Sequence, residues 1–419
     1  MRRAFVLILL VMLVGCDQRP NQVSAIGLPS PTPFQPRFAQ TASDSLYAGS
    51  PPTPFDIPTT TSAPDPVEPK TIPPTEIEPT TVILPGRLNP LTGLPPSDPA
   101  LLDRRPMAIK VANYPRYIRP QSGLTLADQV FEYYIEGGLT RFIAVFYGND
   151  SEWVGPVRSG RFFDENIQRM YQAYIVFKYA DKRVLEYFRT TDFADFLVVP
   201  SLGESTYGPC PPFLLLKERE IEVYNNSYFN TTLWQPCVDK YHLPSDPPSF
   251  QSGFFDPNNI PRSDLAADVI HTYYSVDDYN YWQYVPEIGE YQRYQEKGDT
   301  REGREESYAP LVDRMTGETV HAANVIVLFA YHTFANPYNE EDEVYSIDLT
   351  GSGEAYVFRD GVGVVAKWHR SFQNQPLTLT DSFGGQIYLK PGITFYEVIG
   401  SNSYVDQGDG EWDFHHFTP

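Results

Sequence analysis

Arginine is the residue type around which chemistry can be built in the first half of this 419-residue chain. Three arginine-bearing runs follow one another. The first is Arg119-Pro120-Gln121-Ser122-Gly123-Leu124, leading to Ala127-Asp128. The second is Glu136-Gly137-Gly138-Leu139-Thr140-Arg141-Phe142, and the third Gly155-Pro156-Val157-Arg158-Ser159-Gly160-Arg161. A guanidinium fork bonds two oxygens of a phosphate or carboxylate at once. Arg119, Gln121, Asp128, Glu136, Arg141, Arg158 and Arg161 are therefore the candidate ligand-binding residues. Between Asp103 and Arg183 there are twelve Lys and Arg against nine Asp and Glu, although the whole chain carries −21. A locally basic region on an acidic protein predicts a site for an anion. Arg158 and Arg161 fall at or just before an expected helix start, where free N–H groups also favour anions. The competing reading is structural: Arg141, Arg158 and Arg161 pair with Asp128, Glu132 and Glu136 in a buried network. Gly137-Gly138 reads as a tight turn. The sequence leaves site and network open.

Other chemistries find less support. All seven histidines lie between His242 and His416, so the first half must work with carboxylates, arginines or tyrosines. No nucleophile–base pair is visible there, and catalytic residues stay unassigned. No Cys/His spacing suits zinc, and His415-His416 has no third ligand, so neither metal nor cofactor is expected. Asp128, Glu132 and Glu136 could pair for glycoside hydrolysis, but nothing singles them out. The net charge argues against nucleic acid as a partner. Tyr279, Tyr281, Trp282, Tyr284, Tyr291 and Tyr294 interleave along a strand-rich stretch. Alternation puts Tyr279 and Tyr281 on one side and Trp282 with Tyr284 on the other. Hairpin packing explains them; a sugar-stacking face is the alternative.

The N-terminus sets the compartment. Met1-Arg2-Arg3 is a short basic start, Ala4 to Val14 is apolar but short for a spanning helix, and Leu13-Val14-Gly15-Cys16 looks like a bacterial lipobox. Cys16 would carry acyl chains that hold the protein in a lipid bilayer, at roughly 0.8 kcal/mol per buried CH₂. From 17 to 86 the chain is rich in Pro, Ser and Thr, and 20 of its 40 prolines fall between Pro20 and Pro99. That composition predicts a disordered tether with a contour on the order of 200 Å. Outside the cytosol, Cys210 and Cys237 are expected to form a disulfide contributing roughly 3 kcal/mol.

The elements that must position the arginines are legible as alternation and turns. Strands are expected at Pro106–Ala112, Asp128–Ile135, Arg141–Tyr147, Ala173–Phe177 and near Phe196–Val199. Helices are expected over Arg161–Met170 and Asp181–Phe188. Further on, strands run at Asp268–Ser275, Tyr281–Val285, Tyr291–Gln295, Asn324–Tyr331, Gln386–Leu389 and Thr394–Ile399. Arg359-Asp360-Gly361 marks a hairpin inside Glu354–Trp368. The fold class is α+β: an α/β layered domain at 87–215 followed by a mainly β domain at 216–419.

With these runs in order, the chain resembles the YerB-like lipoprotein family over about residues 88–400. The RPQSGL…AD, EGG-x-TRF and GPVRS-x-R runs carry the resemblance. So do Asp313-Arg314-Met315-Thr316-Gly317 before Asn324-Val325-Ile326-Val327, and Gly353-Glu354-Ala355 before Asp360-Gly361. Gly160 departs from the Ala more often found there. The resemblance implies a two-domain, membrane-anchored envelope protein and supplies no reaction. The leading expectation is a non-enzymatic binding or scaffold module for an anionic envelope ligand or a partner protein, such as a cell-wall glycopolymer or an envelope protein. The alternative is an enzyme acting on a phosphate-bearing wall precursor, reminiscent at the level of fold of LytR-CpsA-Psr transferases. There Arg141, Arg158 and Arg161 would stabilise phosphate charge, while Asp128 or Glu136 held a metal or acted as base.

Overall fold

The computed structural model describes residues 86–200, 209–216, 222–249, 254–335 and 343–418. The lipobox and the expected tether lie outside the described residues. Short β-branched and aromatic runs, cut by Gly and Pro, form the strands; some, such as Met107–Ala112, bury both faces, and others, such as Val269–Tyr273, alternate with one face toward the core. The first half supplies β1 (Met107–Ala112), β2 (Gln129–Tyr134), β3 (Thr140–Phe146), β4 (Tyr174–Val176) and β5 (Leu197–Val198). Helices α1 (Asp164–Tyr171) and α2 (Lys182–Thr190) lie among them. A short pair, β6 (Phe213–Leu215) and β7 (Ser227–Phe229), precedes helix α3 (Gln235–Tyr241). Next come β8 (Val269–Tyr273), β9 (Tyr279–Val285), β10 (Glu290–Glu296), β11 (Tyr308–Pro310) and β12 (His321–Ala322). The chain continues through β13 (Asn324–Phe334), β14 (Tyr345–Asp348), β15 (Gly351–Arg359) and β16 (Val362–Arg370). It ends with β17 (Thr378–Asp381), β18 (Thr394–Gly400), β19 (Tyr404–Gln407) and β20 (Glu411–His415).

Among the described residues the large sheet has eleven strands, in the order β17-β16-β15-β13-β18-β2-β3-β1-β4-β5, with β14 on β13. A seven-stranded sheet runs β11-β10-β9-β8-β20-β19, with β12 on β10. The large sheet takes strands from both sides of residue 215, because β18 pairs in parallel with both β2 and β13. The class is α+β, as the patterning predicts: β1, β4 and β5 are parallel, with α1 and α2 among them, and the later residues are mainly β. One face of the large sheet, with Val111, Val130, Phe142 and Phe395, meets Ile270, Trp282, Tyr291 and Phe414 of the smaller sheet. Its other face, with Ala108, Tyr133, Ile143 and Val398, is covered by Ile167, Met170 and Val184 of the helices.

A charged group crosses the core between the sheets. Glu132 of β2 and Glu397 of β18 are directly opposite in the ladder, an arrangement that repels unless a cation intervenes. Arg293 of β10 is that cation. Its Nη1 donates to Glu397 at 2.7 Å and its Nη2 to Glu132, with the side chains of all three fully buried. Trp282 Nε1 and Tyr274 Oη donate to Glu397 at 2.8 and 3.0 Å, and Thr140 Oγ1 to Glu132 at 2.5 Å. The rings of Phe142, Trp282 and Phe395 surround the guanidinium at 5.0 to 5.3 Å. Burial pushes the Glu132 carboxyl well up, although Arg293 opposes the rise.

Two local expectations need correcting. Gln386–Leu389 is not a strand: its backbone groups go to different partners, Ile387 N to Leu379 O and Leu389 N to Phe254 O. With Gly384-Gly385 on one side and Pro391 on the other, four residues cannot build a ladder. Helix α1 begins at Asp164 and not at Arg161, because the chain up to Gly160 is held extended by bridges Val111–Val157 and Gly160–Ala180. The Asp360-Gly361 hairpin forms as read, both residues having positive φ (53° and 75°) between β15 and β16.

Removing the central cation should therefore be severe. Arg293→Met leaves two opposed buried carboxylates, and a loss on the order of 3–5 kcal/mol is expected in urea unfolding. A second outcome concerns acid. His332 and His416 pack with ring centroids 5.2 Å apart; burial pushes His332 down to about 4 and His416 well below its ordinary value. The unfolded chain binds these protons more readily, so stability present above about pH 6.5 is lost as pH falls toward 4. His332 alone accounts for about 3 kcal/mol of that loss. Unfolding midpoints at pH 7 and pH 4 should show His332→Leu losing less than the parent.

Candidate functional site

Four of the seven candidate binding residues meet at the carboxyl ends of the parallel pair β1 and β4, the place where α/β sheets open for ligands. The hairpin joining β2 to β3 turns at Glu136-Gly137-Gly138, with both glycines at φ near 72° in the left-handed region. It delivers Arg141 at the start of β3, opposite Tyr133 on one side and Ala112 on the other. Period-two alternation then puts Lys110 on the same face, beneath α1.

The third run reaches the site by backbone pairing. Gly155 has φ 148°, and a Cβ there would lie 2.7 Å from Val157 N. Beyond it the chain lies along the end of β1: Ala112 N donates to Pro156 O at 2.9 Å and Arg158 N to Lys110 O at 3.1 Å. On the other side Lys178 N donates to Arg158 O at 3.0 Å and Gly160 N to Tyr179 O at 3.0 Å. Arg158 is thus a rung inserted between β1 and the chain leaving β4. At Gly160 an added Cβ would come within 3.1 Å of the Phe177 ring. Strand β7 braces the outer flank, since Val157 N donates to Ser227 O at 2.6 Å. The Cys210–Cys237 disulfide, with Cα atoms 5.4 Å apart, ties the segment before β6 to α3.

The three arginines differ in how their charge is met. Arg161 forks onto Glu136, with Nε to Oε2 at 2.8 Å and a second bond from Nη2 to Oε1. Burial opposes its charge, but Glu136 beside it raises the guanidinium, and Arg161 in turn lowers the Glu136 carboxyl against the effect of burial. Arg141 is only 7% exposed, and its Nη1 donates to Thr140 O at 2.8 Å. Its Nε is buried with no partner among the described residues. Burial, with the charges of Arg158 and Arg161, pushes Arg141 down to about 9, still protonated at neutral pH. Arg158 also has a buried Nε without a partner; its guanidinium lies 5.7 Å from the Tyr224 ring centroid, and burial and Arg161 lower it. Among the described residues no carboxylate pairs with Arg141 or Arg158.

Beneath them Lys110 Nζ lies 3.0 Å from Asp164 Oδ1 and bonds the Tyr133 hydroxyl, which donates to the same Asp164 oxygen at 2.7 Å. Burial pulls Lys110 down to about 8 against the attraction of Asp164. Asp164 Oδ2 accepts from Arg161 N at 2.9 Å, so this carboxylate is already committed. Beside the group opens a pocket of about 510 Å³ whose lining includes Arg161 and Arg183 with Glu136, Asp181 and Glu343; Arg141 and Arg158 stand behind that lining and not in it. Chemically the arrangement suits an oxyanion.

The remaining candidates lie elsewhere. Asp128 accepts from Tyr147 N (2.6 Å), Gly148 N (2.8 Å) and Asn89 Nδ2 (2.9 Å) at the far end of β3, and burial pushes it up to about 6. Arg119 donates to Glu296 Oε1 at 2.7 Å and to Glu296 O at 2.6 Å. Burial and neighbouring Asp278 push that glutamate up to about 7. Gln121 Nε2 donates to Ala112 O at 3.0 Å. The network reading therefore holds only for Arg161 with Glu136; Glu132 belongs to Arg293 and Asp128 to backbone. The helix-terminus argument does not survive, because Asp164 and Glu165 occupy the first turn of α1. Two of the quoted motifs serve each other: Asp313 takes Gly123 N at 2.9 Å and Thr125 N at 2.8 Å.

Sequence reasoning passed over Lys110, Tyr133, Asp164, Lys178 and Tyr224. Lys110 carried a usable signal, a lone cation inside Met107-Ala108-Ile109-Lys110-Val111-Ala112. The aromatic stretch resolves as packing. Tyr281 and Tyr294 are 4.6 Å apart at 5°, and Tyr273 and His415 4.8 Å apart at 8°. Tyr279, Trp282 and Tyr291 are buried, and each of the half-buried rings Tyr281 and Tyr294 has one face taken by the other, as hairpin packing requires.

Comparison with known proteins places this geometry. The chain matches "Protein of unknown function (DUF3048) N-terminal domain" over residues 91–240, which include the arginines of the site, and the corresponding C-terminal domain over 270–396. It is 26% identical over 338 residues to the Bacillus subtilis protein named "Putative lipoprotein YerB", covering 77% of this chain and 89% of that one. The crystal structure of the Bacillus subtilis YerB protein shares the fold, with a TM-score of 0.59 and 22% identity over 75% of this chain and 96% of that chain. The chain belongs to the YerB-like family, whose two-part domain is of unknown function.

Proposed function

We propose that the protein is an envelope lipoprotein, held at the extracytoplasmic face of the membrane by acyl chains on Cys16, whose Arg141–Arg158–Arg161 cradle binds an anionic envelope ligand. The relative's name, a lipoprotein, supports the anchor. One observation carries the binding role: Arg141 is buried at 7% exposure, its Nε has no acceptor, and among the described residues no carboxylate forms an ion pair with it, Glu136 being bonded to Arg161 instead. Burying a charge without a partner costs several kcal/mol, and such a cost persists where a ligand supplies the missing charge. The ligand is read as a wall glycopolymer or another phosphate- or carboxylate-bearing envelope component. An enzymatic reading draws on the Lys110–Tyr133–Asp164 group, which could hold or move a proton beneath the bound anion.

Two measurements test this. Full-length protein in neutral detergent micelles is mixed with purified cell-wall glycopolymer at low and high salt. Binding is expected at low salt, should weaken at high salt, and should fall at least tenfold in the Arg141→Ala/Arg158→Ala double variant. Undiminished binding by the double variant overturns the assignment, and release of product in the same mixtures would favour the enzyme. Secondly, Arg141→Met should raise the melting temperature of the free protein by a few degrees, on the order of 1 kcal/mol, while weakening binding. A merely structural arginine would do the reverse.

A further inference from the structure

We infer that the group seated in the cradle is a dianionic terminal phosphate, a phosphate monoester or a diphosphate, and not a carboxylate or a phosphodiester. The inference rests on the anion-binding reading above and narrows it. Charge balance is the first argument. Four cations converge there, Lys110, Arg141, Arg158 and Arg161, and two carboxylates answer them. Asp164 is committed to Lys110 at 3.0 Å and Glu136 to Arg161. Two guanidiniums, Arg141 and Arg158, have no ion-pair partner among the described residues, and burial, Arg158 and Arg161 lower Arg141 while burial and Arg161 lower Arg158. A carboxylate or a diester brings one negative charge and leaves a buried cation unmet. A terminal phosphate brings about −1.5 to −2 at neutral pH.

Oxygen count is the second argument, and it does not depend on charge. Each guanidinium fork takes two oxygens in its preferred geometry. Two forks on one group need three or four free oxygens. A carboxylate and a diester each have two, whereas a phosphate monoester has three and a diphosphate more. The Nε atoms of Arg141 and Arg158 are buried and lack an acceptor, as do those of Arg104, Arg105 and Arg116; what sets the cradle pair apart from Arg104 and Arg116 is that no carboxylate among the described residues forms an ion pair with it. Among the described residues no carboxylate forms an ion pair with Arg141 or Arg158, although Glu136 acts on Arg141 and exposed Glu222 feels the Arg158 charge across solvent. Asp181 is taken by Arg183, accepting from its N and Nε, both at 2.8 Å. Glu343 accepts from Gly137 N at 2.9 Å and bonds the Tyr345 hydroxyl, and exposed Glu222 accepts from Tyr117 Oη at 2.8 Å and Asn225 Nδ2 at 3.2 Å. Lys178 lies close enough for the Arg158 charge to lower it. Tyr179 lines the pocket and Tyr224 faces Arg158.

Calorimetric titration of the full-length protein in neutral detergent micelles tests the inference with defined probes. Inorganic pyrophosphate and glycerol phosphate carry the terminal group, dimethyl phosphate is the diester, and acetate the carboxylate. The two terminal phosphates should bind at least tenfold more tightly than the other two. Lowering the pH from 7.5 to 5.5 should weaken glycerol phosphate about fourfold, because its second proton binds near pH 6, and leave dimethyl phosphate unchanged. The Arg141→Lys/Arg158→Lys variant keeps the charge and loses the forks, so the preference for terminal phosphate should narrow. Dihexanoyl phosphatidic acid binding more tightly than glycerol phosphate would assign a lipid headgroup, and equal affinity a free or polymer-borne phosphate. Equal affinity for pyrophosphate and dimethyl phosphate overturns the dianion and leaves the anion site standing. No binding of any probe, with wall glycopolymer also unbound, overturns both.

Discussion

The arrangement of this protein depends on one buried cation. Glu132 and Glu397 are neighbours across β2 and β18, and they tolerate that position only because Arg293 reaches up from the other sheet between them. The same contact fixes how the sheets stack, since Arg293 must come from the core side of β10 with Tyr291 and Gln295 beside it. Fixing β2 also fixes the hairpin to β3, and with it the place where Arg141 enters the helix-covered face. A polar group in an apolar core is weak evidence for stability in itself. Its value here is specificity: a slip of one residue in β10 would aim Arg293 away from the core and leave two carboxylates opposed.

Set against Arg293, Arg141 shows what an unfinished site looks like. Both guanidiniums are buried, at 0% and 7% exposure. Arg293 has two carboxylates and three rings around it, and its charge is held firmly on. Arg141 has one backbone carbonyl, and burial with two like charges pushes it down to about 9 although Glu136 opposes the fall. The fold that completes one arginine so fully leaves the other incomplete. The difference is not one of exposure or chain position, because both sit on strands of well-packed sheets. It is that no carboxylate among the described residues forms an ion pair with Arg141.

How much of this could be read in the sequence follows from the distance over which each feature is decided. Strands β1 to β5 and the Asp360-Gly361 hairpin were legible because alternation and turn chemistry act over a few residues. Gln386–Leu389 was misread because a run of four residues, three of them apolar or aromatic, says nothing about where its hydrogen bonds go. Asp128 was grouped with the arginines by proximity in the chain, yet it closes the opposite end of β3 by binding Tyr147 N and Gly148 N. Arg293 was invisible: it stands 161 residues from Glu132 and 104 from Glu397, in a strand whose other residues are tyrosines, glutamines and glutamates, a composition that reads as a surface strand. The charge excess between Asp103 and Arg183 pointed to the stretch that carries Lys110, Arg141, Arg158 and Arg161. The separation of Arg161, answered by Glu136, from Arg141 and Arg158, unanswered, could only come from the fold.

Rigidity explains why the unanswered pair persists. Arg158 is held on both sides by backbone hydrogen bonds to β1 and to the chain after β4, and Arg141 sits inside a two-sided ladder. Neither backbone can retreat to let its side chain reach water without breaking sheet pairing. Like charges on flexible loops would separate and relax; on these elements they cannot. A group that arrives with the opposite charge therefore meets donors already in place and spends little of its binding energy on ordering them, which is the condition for tight and selective anion recognition. Had the same residues lain on a long loop, their convergence would have meant little.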